Sequence, residues 1–257
     1  MAARRAGAVL GRNFNKRDKL TVEKKGHNDF VSSADLAAER AIIDVIHKHY
    51  PDHAIHAEES GFHGESDHVW VIDPLDGTTN YLHGFPVFAV SIGLQINGRL
   101  EHAVVYDPMR EELFTASRGD GAQLDGRKIR VSGNKDLERA LIGTGFPFRQ
   151  SDTAMDPYLA MLAKLVKNTS GVRRPGAAAL DLCYVACGRF DAFWETGLEP
   201  WDLAAGTLII REAGGIVSAL DGAENHLETG HVLAGTPRIY RGIAKLCARE
   251  IKAILAP

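Results

Sequence analysis

The chain has 257 residues, 45% of them hydrophobic, which is enough to bury a large core and excludes a small scaffold held by staples. Its 30 Lys and Arg against 33 Asp and Glu leave a net charge of −3, so no overall cationic field draws it to nucleic acid or anionic lipid, and an anionic substrate must be captured locally. Of three cysteines, Cys183 and Cys187 stand four apart in a helical stretch without zinc or redox spacing, so reduced thiols in a cytoplasmic protein are expected.

The opening MAARRAGAVLGRNF has basic residues but no cleavage-site pattern, and no run reaches the roughly 18 apolar residues of a membrane span. A soluble, untargeted protein is expected. Ser32 offers an N-cap to the run ADLAAERAIIDVIHKHY, in which Leu36, Ile43 and Ile46 give a helical stripe and Asp35 falls in the first turn. HAIHAEES and HVWVIDP then read as two short buried strands, each delivering acids to a sheet edge.

From Pro86 to Tyr106 two β-rich arms flank Asn97-Gly98, a strong hairpin signal, and ELFTAS and KIRVS extend the meander. GDGAQLDG between them lacks the closing Glu of a calcium loop and reads as a pair of β-turns. After Asp136 strands and helices alternate: ALIGTGF, a helix from about Asp152 to Lys167, AAALDLCYVACG as a helix, and FDAFWE as a strand. LAAGTLIIREAGG is a helix with a Gly-Gly stop, IVSAL and HVLAG are strands, and PRIYRGIAKLCAREIKAIL is one closing amphipathic helix with Pro237 near its first turn. The fold class is therefore mixed α/β, with helices and β-sheets in alternating layers and the site where strand ends meet helix N-termini. No repeat or flexible linker separates the approximate halves 1–135 and 136–257, so residues 1–257 are expected to pack as one unit.

The segment WVIDPLDGTTN, Trp70 to Asn80, carries most of the chemistry. Asp73 is held extended by the following proline, and Asp76 comes one turn later with the Leu75 carbonyl between them. Two carboxylates and a carbonyl suit a hard cation such as Mg²⁺, which keeps several of its waters. Gly77 permits close backbone approach to an oxyanion, and Thr78 and Thr79 opening a helix would present free N–H groups to it. Turn chemistry alone also explains this fragment. What it leaves unexplained is the company: Glu58 ends HAIHAEES, and Asp202 stands at a helix start in PWDLAAG, where N-capping is the plainer role.

WVIDPLDGTTNYLHGFPVFAVSIGL and WDLAAGTLIIREAGG closely resemble the two long motifs of the inositol monophosphatase family, and AEES matches its upstream acidic motif. FTASRGDGAQLDGRKIRVS and RRPGAAALDLCYVACGRFDAFWE are also similar to bacterial members, so the resemblance spans nearly the whole chain. It implies the sugar-phosphatase fold shared with fructose-1,6-bisphosphatases, and a Mg²⁺-dependent phosphomonoesterase acting on myo-inositol monophosphate, with lithium sensitivity. Relatives acting on fructose 1,6-bisphosphate or 3′-phosphoadenosine 5′-phosphate share the same fold and metal set. The implied ligands are Glu58, Asp73 and the Leu75 carbonyl for one ion, and Asp73, Asp76 and Asp202 for a second, with a third near Glu58. Thr78 and Asp35 would orient the attacking water together with Glu58. From sequence alone, a first-turn acid serving the helix dipole is the preferred reading of Asp35.

On the substrate side the resemblance points to Asp76, Gly77, Thr78 and Asp202, to Glu195 for vicinal hydroxyls, and to Gly176 and Ala177 beside the sugar. Many relatives carry a hydroxyl residue where Ala177 stands. His53, His56 and His63 lack zinc-helix spacing and read as surface or hydrogen-bonded histidines. Arg173 and Arg174 read as solvated or ion-paired rather than phosphate-binding. The family further implies a homodimer and a second role as a partner in bacterial transcription complexes, while the net charge leads us to expect no direct nucleic-acid contact.

Overall fold

The computed structural model describes residues 1–16, 20–26, 29–147 and 155–256. The opening segment, unassigned from sequence, is helix α1 (Ala2–Phe14); its buried stripe of Ala3, Ala6, Leu10 and Phe14 is half alanine and therefore weak as an apolar signal. A short pair, β1 (Val22–Gly26) and β2 (Asp29–Ser32), leads to α2 (Ser33–His49), capped by Ser32 as expected. The buried stripe of α2 is Ala34, Ala38, Ile42 and Ile46. Leu36 is 54% exposed and Ile43 only half-buried, so the core face is rotated from the one its larger residues suggest.

Next come β3 (Ala54–Ala57), β4 (Gly61–His63), β5 (His68–Asp76), α3 (Thr78–His83), β6 (Ala89–Ile96) and β7 (Arg99–Asp107). Asn97 and Gly98 turn the β6–β7 hairpin with φ of 51° and 73°, the positive pair its two-residue loop requires. β8 (Glu112–Ser117), β9 (Gly121–Leu124) and β10 (Arg127–Lys128) complete the meander. GDGAQLDG thus holds a strand between its turns, and only Lys128 of KIRVS is strand, because Val131 leaves the sheet to bond the Ala213 carbonyl on another layer.

The second half contains β11 (Leu141–Thr144), α4 (Met155–Asn168), β12 (Gly171–Arg173), α5 (Ala178–Ala186), β13 (Ala192–Glu195), α6 (Pro200–Glu212), β14 (Ile216–Ser218), α7 (His226–Thr229), β15 (Val232–Gly235), α8 (Pro237–Leu246) and α9 (Ala248–Ile254). The proposed start of the fourth helix at Asp152 lies outside the described residues. The closing helix is two helices, not one: it breaks at Cys247, whose buried side chain joins the core while Lys164 reaches the freed Leu246 carbonyl at 3.3 Å.

Among the described residues the large sheet runs β10-β9-β8-β7-β6-β5-β3-β4, antiparallel except for β3 beside β5, and the smaller runs β12-β11-β13-β15-β14. Along β5 and β7 neighbouring residues serve opposite faces. Ile72 and Tyr106 pack with α1 and α2, whereas Val71 and Val105 pack with α5 and α6. On the outer face of the small sheet Ile142, Trp194 and Leu233 meet α4, α8 and α9. The layers are therefore helix, sheet, helix, sheet, helix, the alternating architecture expected from the sequence. Helix α6 is buried from Asp202 to Ile210, and its small residues let it lie close: a Cβ at Gly93 would stand 3.2 Å from Ala204, and one at Gly206 would stand 2.5 Å from Leu182. A buried Leu or Ile in these layers contributes about 1.5 to 3 kcal/mol. The packing of the central helical layer aims the first turns of α5 and α6 at the end of β5.

Candidate active site

The β5–β6 register shifts between Asp73 and Asp76, and at this bulge the two acids come together. Asp73 Oδ1 accepts the Leu75 N–H at 2.8 Å. Asp76 accepts the N–H groups of Ala178 and Ala179 at 3.2 and 2.7 Å, satisfying donors in the first turn of α5. Asp202, third residue of α6, accepts the Glu199 N–H at 2.8 Å. Each of the three carboxylates is thus held by backbone, and all have oxygens within 4.8 Å of one another while being no more than 7% exposed.

Such crowding has a direct electrostatic consequence. Burial first, and then the charges of Glu58, Asp76 and Asp202, push the Asp73 carboxyl well above the usual range. Burial and Asp202 push Asp76 up to about 7, against the opposing pull of the α5 amides. A cation at this point would relieve both the repulsion and the lost hydration. The donors are all oxygens, which fits a hard divalent ion rather than one seeking sulfur or imidazole.

Glu58 follows β3, donates its N–H to the Ile72 carbonyl at 3.1 Å, and faces the same cavity without joining the tight triad. The Thr78 hydroxyl lies 3.0 Å from both Asp35 Oδ1 and the Leu75 carbonyl, so its single hydrogen serves one or is shared. Asp35 is fully buried behind Thr78, where it accepts the Ser32 N–H at 3.0 Å and the Ser32 hydroxyl; burial nevertheless raises its pKa. The dipole role and a contact to the site are both present in this one residue. Gly77 precedes α3 with φ of 92°, and a Cβ there would sit 3.0 Å from the Val87 carbonyl and 3.2 Å from that of Gly176, so only glycine fits.

The cavity measures about 320 Å³, the size of a small ligand. Glu58, Asp73, Leu75, Asp76 and Asp202 line one side together with the first turn of α3, and Gly176, Ala178 and Glu195 line another. Ala177 itself is 1% exposed and lies under the wall as the residue before α5. Glu195 rests on backbone, since a Cβ at Gly145 would collide with its carboxylate. Tyr158 donates to the Gly145 carbonyl and fixes that backbone from behind.

Three participants escape the sequence reading. Both Arg173 and Arg174 are exposed, but Arg174 lines the cavity with its guanidinium 5.4 Å from the Phe146 ring, whereas Arg173 bonds its neighbour's carbonyl. Nothing in RRPGAAA distinguishes the two arginines without the strand ending between them. Asn80 places its amide nitrogen 2.8, 2.9 and 3.2 Å from the carbonyls of Val87, Pro175 and Gly176, stapling the turn after β5 to the loop before α5. Asp181 is buried with Oδ1 unpartnered and a strongly raised pKa, from burial first and then Glu195. The histidines behave as expected: His53 accepts from Trp70 Nε1 at 3.0 Å and stacks on His68, and His56 meets Trp201 edge-on.

Residues 1–253 match the model of the inositol monophosphatase family. The chain is 54% identical over 247 residues to the Nus factor SuhB of Pseudomonas aeruginosa, covering 94% of this chain and 91% of that one. It is similar to the crystal structure of the extragenic suppressor protein SuhB from Bartonella henselae, with TM-score 0.93, 43% identity, and coverage of 96% of this chain and 95% of that one. The inositol monophosphatase of Anabaena superposes with TM-score 0.86 at 41% identity, over 96% of this chain and 92% of that one.

Proposed function

Since the chain belongs to the inositol monophosphatase family, a family of phosphatases, we propose that it is a Mg²⁺-dependent phosphomonoesterase that hydrolyses myo-inositol monophosphate to inositol and phosphate. The observation that carries this reading is the buried triad of Asp73, Asp76 and Asp202 at the wall of a small cavity. Asp73, Asp76, Asp202, Glu58 and the Leu75 carbonyl are the residues that would hold two to three Mg²⁺. When bound, such ions supply Lewis acidity at the phosphoryl group and lower the pKa of water at neutral pH.

The chain's own residues supply position. With the Thr78 hydroxyl hydrogen given to Asp35 rather than to the Leu75 carbonyl, the Thr78 oxygen would accept a hydrogen bond from the attacking water and aim it. Glu58, which lines the same cavity, would accept that water's proton. Gly77 and the start of α3 would admit a phosphoryl oxygen close to backbone, and Asp76 and Asp202 line the cavity on the side assigned to the leaving oxygen, which takes up a proton from solvent in exchange for the one Glu58 accepts, so that inositol departs as the alcohol. Across the cavity, Glu195 accepts hydrogen bonds from vicinal hydroxyls, with Gly176 and the backbone before α5 closing the sugar side. Loose phosphoryl transfer asks for this positioning and charge neutralisation more than for a covalent nucleophile.

The test is phosphate release from inositol 1-phosphate, fructose 1,6-bisphosphate and 3′-phosphoadenosine 5′-phosphate, each with Mg²⁺, with EDTA and with added Li⁺. Metal-dependent, Li⁺-inhibited release from inositol 1-phosphate is expected; preference for another ester would replace the substrate and keep the mechanism. A second reading is favoured by the relative named Nus factor: binding within a bacterial transcription complex, alongside or instead of catalysis. A pull-down insensitive to Asp76→Asn, with no release from any ester, would put that role first. The reading also takes the protein as a cytoplasmic homodimer. Contact of the central helices with both sheets supports treating residues 1–257 as one folding unit.

A further inference from the structure

Helix α2 reaches the candidate site twice. Asp35 Oδ1 meets the Thr78 hydroxyl, and one turn along the same face Glu39 Oε2 accepts the N–H of Glu59 at 2.9 Å. Glu39 is only 4% exposed. A carboxylate that deep on a helix is costly to desolvate unless it is hydrogen-bonded, and the bond it makes goes to a residue 20 positions away rather than to its own helix. Glu59 directly follows Glu58, whose own N–H is committed to the Ile72 carbonyl of β5. Two successive amides are therefore fixed by two different elements, one by β5 and the next by α2, and the Glu58 side chain leaves the backbone between them.

We propose that Glu39 is a positioning residue that sets the direction of Glu58, making α2 a common strut for the Glu58 turn and the Asp73–Thr78 turn. The inference rests on the reading of Glu58 as a metal ligand. Partners behind metal ligands orient them, and their loss weakens affinity by about 10- to 100-fold in comparable sites. Here the partner acts on the ligand's backbone rather than on its carboxylate, which places the expected loss at the lower end, about tenfold.

The experiment compares wild type, Glu39→Gln, Glu39→Met and Glu39→Asp. It measures amide hydrogen exchange across residues 58–60 in metal-free protein, Mg²⁺ binding by calorimetry, and turnover of inositol 1-phosphate as a function of Mg²⁺. Glu39→Met keeps the stem but removes the acceptor, so faster exchange at 58–60, about tenfold weaker Mg²⁺ binding and a matching rise in the Mg²⁺ requirement are expected. Glu39→Gln keeps an acceptor oxygen and should restore all three. Glu39→Asp keeps the charge but withdraws the oxygen, and should behave like the Met variant even if the latter fails to fold. Wild-type Mg²⁺ affinity in the Asp variant, or a Gln variant as impaired as the Asp variant, would overturn the proposal. Wild-type protein that binds no Mg²⁺ at all would instead remove the metal reading, and with it this role, whatever the exchange shows.

Discussion

The Asp76 carboxylate accepts the N–H groups of Ala178 and Ala179 and so joins the end of β5 to the first turn of α5. Asp76→Asn replaces one acceptor oxygen with a donor facing an N–H, at a cost of about 1 to 2 kcal/mol, while relieving repulsion with Asp202. The variant should stay folded by circular dichroism yet lose Mg²⁺-dependent turnover by about 10³-fold, equivalent to about 4 kcal/mol. Wild-type melting temperature should rise with Mg²⁺ while that of the variant does not.

Thr78→Val and Asp35→Asn act on the same hydrogen bond without removing a proposed metal ligand. Each should lower kcat by about 10²-fold, the scale of positioned proton-transfer groups, with Mg²⁺ affinity within about twofold of wild type. Calorimetry beside steady-state kinetics separates the two quantities, and an equal loss of metal binding would show that Thr78 shapes the ligands rather than the water.

Asn80→Ala removes donors to the Val87, Pro175 and Gly176 carbonyls, of which two hydrogens can satisfy two fully. A loss of about 1 to 3 kcal/mol in stability is expected from the stranded carbonyls. Because the loop carrying Arg174 and Gly176 then loosens, KM for inositol 1-phosphate should rise more than kcat falls.

His226 lies buried against α6, with Nε2 3.1 Å from the Thr207 hydroxyl, Nδ1 unpartnered, and Arg211 adding like charge. Burial first, then Arg211, lowers its pKa to about 4. The folded state holds it neutral while the unfolded chain binds a proton near 6.5, so stability is fully present above about pH 6.5 and declines as pH falls toward 4. The decline attributable to this group is about 2 to 3 kcal/mol. Denaturant titrations at pH 7 and pH 4.5 should show a smaller difference for His226→Gln than for wild type.

Much of this arrangement was legible in the residues. The strand ends bearing Glu58 and Asp73, the Asn97-Gly98 hairpin and the start of α3 follow from alternation, proline and glycine, which act locally. The acids' company across the chain was legible only through the family resemblance, because no local rule brings Asp202 to Asp76. Where the reading failed, tertiary packing decided. Leu36 is larger than Ala34 or Ala38, yet the close approach of α1 and α2 selects the alanines for the interface. The helix break at Cys247 and the departure of Val131 from the sheet depend on partners in other layers. Arg174 and Asn80 likewise owe their place to a loop geometry with no local signature.

The triad draws two members from one β5 turn and the third from α6, which follows more than a hundred residues later, about midway through the second half of the chain. During synthesis, a chain that has emerged only as far as β13 carries Asp73 and Asp76 without the acid that completes them. Ion binding of this kind favours the finished fold over any fragment, since a site assembled from distant segments has little affinity before they meet. Under the proposed reading, metal capture would therefore wait until α6 has met β5, consolidating an assembled site rather than nucleating the first half of the chain.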